Sequence, residues 1–144
     1  MSYSQEKPLL MNLEPSPGAS NSHELSMNSK QLDVQACLKV VQEALLDVKA
    51  KDITSIDVTT ISNVADAIVI ASGTSTRHVK ALANNVADEA RKAGFRPLGM
   101  EGESDAEWIL VDLGIVVVHL MLPTARKFYD LESLWRTEST ESVA

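Results

Sequence analysis

The 144-residue sequence has almost no cysteine and no long apolar run. Cys37 is its one cysteine, so no disulfide can form within the chain, and the cysteine content gives no sign of secretion. Cys37 falls in an apolar helical pattern, which predicts a small buried thiol rather than a reactive one. No apolar run reaches the roughly 18 residues that a membrane-spanning helix needs, so we expect no membrane partner.

Positive charge is also scarce. The chain has 13 Lys and Arg residues against 20 Asp and Glu residues, which gives a formal net charge of −7. Binding to bare nucleic acid depends on neutralising phosphates, so we expect little direct binding to nucleic acid. An acidic protein is steered instead toward basic partners, and many basic surfaces in a cell belong to proteins that themselves sit on nucleic acid.

The composition changes near residue 32. Residues 1–32 are rich in Ser, Asn and Pro, and they lack both the basic start and the sustained apolar core of a secretory signal. Glutamates within this segment argue against an organelle transit peptide. We therefore predict a disordered tail over residues 1–32, a single domain over residues 33–136, and a second disordered tail over residues 137–144.

Hydrophobic periodicity predicts eight elements in the order α-β-β-α-β-β-β-α. Apolar residues at intervals of three and four predict a helix from Val34 to Lys49. The run ADAIVIAS predicts a strand buried on both faces, followed by a helix from about Ser75 to Ala93. The segments EWILVDL and IVVVHLML, joined at Gly114, predict a hairpin. The predicted fold class is therefore α/β, with a mixed sheet of about five strands covered by helices.

Two further features concern packing in the C-terminal third. The segment ARKFYDLESLWR predicts a last helix with Phe128, Leu131 and Trp135 facing the core. His119 lies in an apolar strand, and no second histidine stands at metal-ligand spacing from it. We expect a hydrogen-bonded core or edge histidine there rather than a metal ligand.

The turn Gly73-Thr74-Ser75 lies between a predicted strand and a predicted helix, where phosphate loops and nucleophile elbows also occur. A phosphate loop needs a second glycine followed by Lys-Ser or Lys-Thr, which this chain lacks. A nucleophile elbow needs a second glycine where Arg77 stands. Helix capping by Thr74 or Ser75 is the favoured interpretation, with anion binding near Arg77 and Lys80 as the alternative.

The stretch from Pro97 to Ala125 contains five acidic residues and no Lys or Arg. The acids are Glu101, Glu103, Asp105, Glu107 and Asp112. Their spacing is not that of a calcium loop, and no Asp-x-Asp pair follows the Gly73 turn, so we expect no metal site and no catalytic residue. Large apolar side chains, Trp108 among them, lie in the same stretch. Acids around apolar anchors are typical of a surface that docks onto a basic protein; burial of Trp108 in the core is the alternative.

Three separated segments occur in a distinctive order: ADAIVIASGTSTRHVKALA, GMEGESDAEWILVDLGIVVVHLMLP and RKFYDLESLW. From roughly Leu32 to Trp135, the sequence resembles the ribosomal silencing factor family, also called RsfS, YbeB or Iojap. The resemblance implies a small α/β domain with nucleotidyltransferase-like topology but without catalytic carboxylates. It also implies binding to the fourteenth protein of the large ribosomal subunit, which blocks joining of the small subunit and represses translation during starvation or stationary phase.

The same resemblance implies which residues face the ribosome. They are Trp108, Leu113, Met121, Glu101, Glu103 and Asp112. A protein of this kind would act in the cytoplasm by steric exclusion, without catalysis, cofactor or metal. Two rival functions use the same fold: assembly of the large subunit, and nucleotide binding by an enzyme. Whether the free protein forms a homodimer is left open by the sequence.

Overall fold

The computed structural model describes residues 29–135, so the predicted tails lie almost wholly outside the described residues. By internal contacts the chain divides into Met1–Asp33 and a compact unit Val34–Ala144, and the fold is that of the larger unit. The elements are α1 (Ser29–Asp47), β1 (Lys51–Asp57), β2 (Ala67–Ser72), α2 (Thr76–Lys92), β3 (Gly99–Glu101), β4 (Trp108–Asp112), β5 (Val116–Met121) and α3 (Pro123–Tyr129). Residues 131–135 are also helical. Within residues 29–135, no helix has the length and apolar character needed to cross a bilayer.

The five strands form one mixed sheet in the order β1-β2-β5-β4-β3. β2 and β5 are parallel, whereas the other three pairs are antiparallel. α2 carries the chain back from β2 to β3, and the antiparallel pairs β3–β4 and β4–β5 then return β5 to the direction of β2. Every residue of β2 is buried, as its continuous apolar run predicts for a central strand. The predicted element order and the mixed five-stranded sheet are confirmed.

Helices α1 and α2 cover one face of the sheet. The core on this side joins the apolar stripes of both helices to alternate residues of β2, β4 and β5. Cys37 is fully buried there, as predicted, and burial raises the pKa of its thiol to about 11. α1 begins at Ser29 and not at the predicted Val34. The extra residues are exposed, so the apolar stripe used to predict the helix does not extend over them.

The second face is covered in part by α3 and residues 131–135, which follow the hairpin. α3 ends at Tyr129 because Asp130 adopts a left-handed conformation with φ of 50°. The prediction of one continuous helix with Phe128 facing inward is therefore wrong, and Phe128 is 80% exposed. Leu131 and Trp135, which follow the break, pack against the small cluster on this face as expected.

Candidate functional site

The candidate site lies on the second face of the sheet, around β4. Alternation along β4 turns Ile109 and Val111 into the helix-covered core and places Trp108, Leu110 and Asp112 on the opposite face. We call the uncovered part of this face the open face. It consists of Glu101, Trp108, Leu110, Asp112 and Val117. These residues keep part of their surface in solvent, whereas their neighbours nearer β2 are buried beneath α3.

Trp108 stands at the border between the open and covered parts of this face. Its indole Nε1–H donates a hydrogen bond to His119 Nδ1 at 2.9 Å. Its ring centroid lies 4.8 Å from that of Tyr129 on α3, and the side chain packs against the small cluster that includes Met121. The indole is thus held in one orientation, mostly buried but with part of its surface available to a partner.

His119 supports the indole from β5, where it pairs with Leu110 on one side and Ile70 on the other. It is only 9% exposed, and burial lowers the pKa of its imidazole to about 4. The ring is therefore neutral near pH 7, which lets Nδ1 accept the Trp108 hydrogen bond. The prediction of a hydrogen-bonded core or edge histidine is confirmed.

Acidification is expected to weaken the fold through His119. The unfolded chain binds a proton near pH 6.5, whereas the folded chain binds it only near pH 4, so stability is full above pH 6.5 and falls as the pH drops. We expect this group to remove about 2 kcal/mol from the free energy of unfolding between pH 7 and pH 5, measured by urea denaturation. His119→Asn has no titratable group at this position, so its free energy of unfolding should lack this pH-dependent part. An equal pH dependence in both proteins would contradict the expectation.

The acidic residues preceding Trp108 lie on a short, closed loop. Gly102, with φ of 94°, turns the chain away from β3, and the Ala106 N–H donates to the Gly102 carbonyl oxygen at 2.9 Å. Ala106 is fully buried and anchors the loop in the core. Glu101 and Glu103, by contrast, are exposed. Glu101 lies at the edge of the open face, whereas Glu103 lines a small pocket with Lys80, Asn84 and Ile109 on the helix-covered side of the sheet.

Asp112 has a structural task at the other end of β4. Its Oδ1 accepts a hydrogen bond from the Gly114 N–H at 2.8 Å, which closes the predicted β4–β5 turn. The Leu113 N–H donates to the Val116 carbonyl oxygen at 2.9 Å in the same turn. Asp112 is half buried, so its charge contributes to the open face while one oxygen orders the hairpin.

Two of the predicted contact residues lie inside the fold. Leu113 is 6% exposed and belongs to the helix-covered core, and Met121 is 0% exposed beneath α3. The expectation that Leu113 and Met121 contact a partner directly is corrected, because neither side chain offers surface. Met121 instead pairs with Trp108 in the β4–β5 ladder and belongs to the buried cluster against which the indole packs.

Several exposed apolar residues were missed at the sequence level. Tyr129 connects Trp108 to Phe128, whose ring lies edge-on to it with centroids 5.0 Å apart. Leu110 and Val117 complete the apolar part of the open face. Alternation from Trp108 could have indicated Leu110, but the exposed aromatic pair depends on the helix break at Asp130, which the periodicity did not reveal.

The turn at Gly73 uses its polar groups internally. The Thr74 N–H donates to His78 Nδ1 at 2.8 Å, and the His78 N–H donates to Ser75 Oγ at 3.1 Å, so Ser75 caps α2 as predicted. Gly73 is required because a Cβ there would lie 2.9 Å from Val79 Cγ2. This packing favours a structural turn over a phosphate cradle. No cluster of His, Cys, Asp and Glu suited to a metal occurs among residues 29–135.

Comparison with known proteins identifies the family. A sequence model described as "Ribosomal silencing factor during starvation" matches residues 31–144. The chain belongs to the ribosomal silencing factor family. The resemblance of its three sequence segments to that family is thereby confirmed.

Individual relatives agree with this membership. The ribosomal silencing factor RsfS of Chromobacterium violaceum is 44% identical over 104 residues, which cover 72% of this chain and 85% of that protein. A crystal structure of a protein from the same organism is 45% identical, covers 71% of this chain and 85% of that chain, and superimposes with a TM-score of 0.70. A mouse relative, "Mitochondrial assembly of ribosomal large subunit protein 1", is 39% identical over 93 residues, or 62% of this chain and 41% of that protein.

Proposed function

We propose that this protein binds the large ribosomal subunit through its fourteenth protein and thereby prevents the small subunit from joining. It acts in the cytoplasm as a translational repressor during starvation or stationary phase. The action is steric and requires no catalysis, cofactor or metal. Membership of a silencing-factor family supports the regulatory role, while the partner and the mode of action rest on the resemblance and on the geometry of the open face.

The open face is the observation that carries this proposal. An antiparallel sheet can leave one face in solvent, and here Leu110 on β4 and Val117 on β5 stay partly exposed on the same face as Trp108. The aromatic rings of Tyr129 and Phe128 extend the same surface over α3. Partly exposed apolar groups around a fixed aromatic ring are typical of the centre of a protein interface.

Charge supplies the second argument for a basic protein partner. Glu101 is exposed at the rim, Asp112 adds negative charge at the far end of β4, and Glu103 is exposed nearby on the loop that follows β3. No Lys or Arg occurs between Pro97 and Ala125, so no cation within this segment neutralises the rim. An acidic rim increases the rate of encounter with a basic ribosomal protein, while the apolar centre slows dissociation.

Trp108→Ala is expected to weaken binding to the large subunit by about 30-fold, the effect of losing a hot spot worth about 2 kcal/mol. The indole is the one large aromatic side chain of the open face, and its position is set by His119 and Tyr129. Binding is measured by sucrose-gradient co-sedimentation with separated subunits, and repression by subunit-joining assays. Val64→Ala, an exposed apolar residue outside the open face, serves as the control and should bind normally. A folded Trp108→Ala protein that binds like wild type would refute this role.

Large-subunit assembly is the second candidate function, favoured by the name of the mouse relative. It would use the same open face, so mutations there do not separate it from silencing. The maturity of the bound particle does. Association with mature large subunits and inhibition of joining support silencing, whereas association confined to precursor particles supports assembly.

A further inference from the structure

His119 carries a polar group that the fold leaves unused. The Trp108 indole nitrogen can only donate, so its hydrogen bond requires His119 Nδ1 to be an acceptor. In a neutral imidazole the proton then resides on Nε2, which makes that atom a donor. Among residues 29–135, Nε2 makes no hydrogen bond.

The immediate neighbours of His119 cannot supply that acceptor through their side chains. Its strand-pairing partners are Leu110 on β4 and Ile70 on β2, and its neighbours along the same face of β5 are Val117 and Met121. All four side chains are apolar. A donor that is nine-tenths buried among apolar groups is costly to leave unpaired, so such groups usually have a partner from protein or water.

We propose that His119 Nε2–H donates a hydrogen bond to a carbonyl oxygen of the docked ribosomal protein. This inference rests on the proposed function, because the acceptor arrives only with the partner. The surroundings select its chemistry: Glu101 and Asp112 on the same face repel a carboxylate, whereas the neutral oxygen of a backbone or amide carbonyl is tolerated. His119 thus acts twice, holding the indole through Nδ1 and selecting a partner oxygen through Nε2.

One bond of this kind contributes specificity to an otherwise apolar contact. A partner segment that presents only hydrocarbon over His119 would leave the donor unpaired away from water, and a segment with a carbonyl in that position would not. Two apolar partner surfaces could pack equally well against Leu110 and Val117. Only the one with a carbonyl over His119 would also pair the Nε2–H donor.

The test uses the full chain labelled with ¹⁵N-histidine and the purified fourteenth protein of the large subunit. The chain has three histidines, and the spectrum of His119→Asn assigns the His119 signals. In the free protein we expect the Nε2–H tautomer at pH 7. On binding, exchange of the Nε2 proton with water should slow by about tenfold or more, since it becomes both bonded and covered.

His119→Asn gives the binding arm of the test. Its amide oxygen can replace Nδ1 as the acceptor for Trp108, while no donor remains at the position of Nε2. We expect Kd to rise about 5- to 30-fold with the Trp108 indole N–H resonance still at its hydrogen-bonded position.

The outcomes separate this inference from the proposed function. If wild type binds but the Nε2 proton exchanges as fast as in the free protein, the inference is overturned and the proposed function stands. If His119→Asn fails to fold, His23→Asn and His78→Asn assign the His119 signals by elimination, and the wild-type measurement still decides the matter. If wild type binds neither the purified protein nor large subunits, the proposed function fails and this inference fails with it.

Discussion

Replacing Gly102 with alanine is expected to destabilise the protein by at least about 3 kcal/mol. Gly102 has φ of 94°, a conformation that side chains with a Cβ rarely adopt. An added Cβ would also collide with the Trp108 carbonyl oxygen and lie 3.1 Å from its carbonyl carbon. These obstacles are backbone atoms, so the strain cannot be relieved by rotating a side chain.

Gly94→Ala is the matched control for this substitution. Gly94 also has φ of 94°, but nothing lies within 4 Å of the position of its Cβ. The free energy of unfolding of Gly94→Ala should fall by only about 1 kcal/mol, the cost of placing a residue with a Cβ in the left-handed region. Urea denaturation of both variants isolates the clash as the difference between them. Equal losses would show that the loop moves freely and that Trp108 does not hold it in place.

The same substitution has a consequence for the site. Gly102 lies between the exposed Glu101 and Glu103, and its backbone abuts the residue that carries the indole. A loop displaced by the added methyl group would shift the acidic rim relative to Trp108. We therefore expect Gly102→Ala to reduce large-subunit binding even under conditions where the variant stays folded.

The main elements could be predicted because each depends on local pattern. The buried run of β2, the capped start of α2 and the hairpin at Gly114 all follow from short-range periodicity and turn chemistry. One hairpin and one helical crossover also predict a mixed sheet, but they do not reveal that β2 pairs with β5. The elements themselves need no knowledge of distant residues, and the structure has them.

The site was harder to predict because its residues are arranged by long-range packing. The predicted hairpin places Trp108 and Met121 on the same face, but it does not reveal that α3 covers Met121 and leaves part of Trp108 exposed. The bond between Trp108 and His119 joins two strands and has no sequence signature. The exposure of Phe128 depends on a single left-handed residue, Asp130, which a helical periodicity cannot detect.

Arg126→Met is expected to destabilise the protein by about 3 kcal/mol, since it breaks a mostly buried ion pair. The Arg126 guanidinium donates to both carboxylate oxygens of Glu132, each at 2.9 Å, and also to Ser72 Oγ at 2.9 Å and Thr54 Oγ1 at 3.2 Å. One side chain thus fastens α3 and the following helical residues to β1 and β2. Met preserves much of the apolar stem but supplies none of these donors.

Arg91→Met provides the control, because Arg91 pairs with Asp88 on the exposed surface of α2. That pair should contribute less than about 0.5 kcal/mol. In a double-mutant cycle, Arg126→Met with Glu132→Leu should recover part of the loss, with a coupling energy of about 2 kcal/mol. Additive single effects would contradict a direct energetic link between Arg126 and Glu132.

The hydrogen bonds of Arg126 are also expected to affect binding to the ribosome. Tyr129 is three residues beyond Arg126 on the short α3 helix, and its ring sets one side of the Trp108 environment. Loosening α3 should therefore let the indole reorient, which a change in Trp108 fluorescence would report. We expect Arg126→Met to bind large subunits more weakly than Arg91→Met at a temperature where both variants are folded. Equal binding would show that the sheet and His119 hold Trp108 without help from α3.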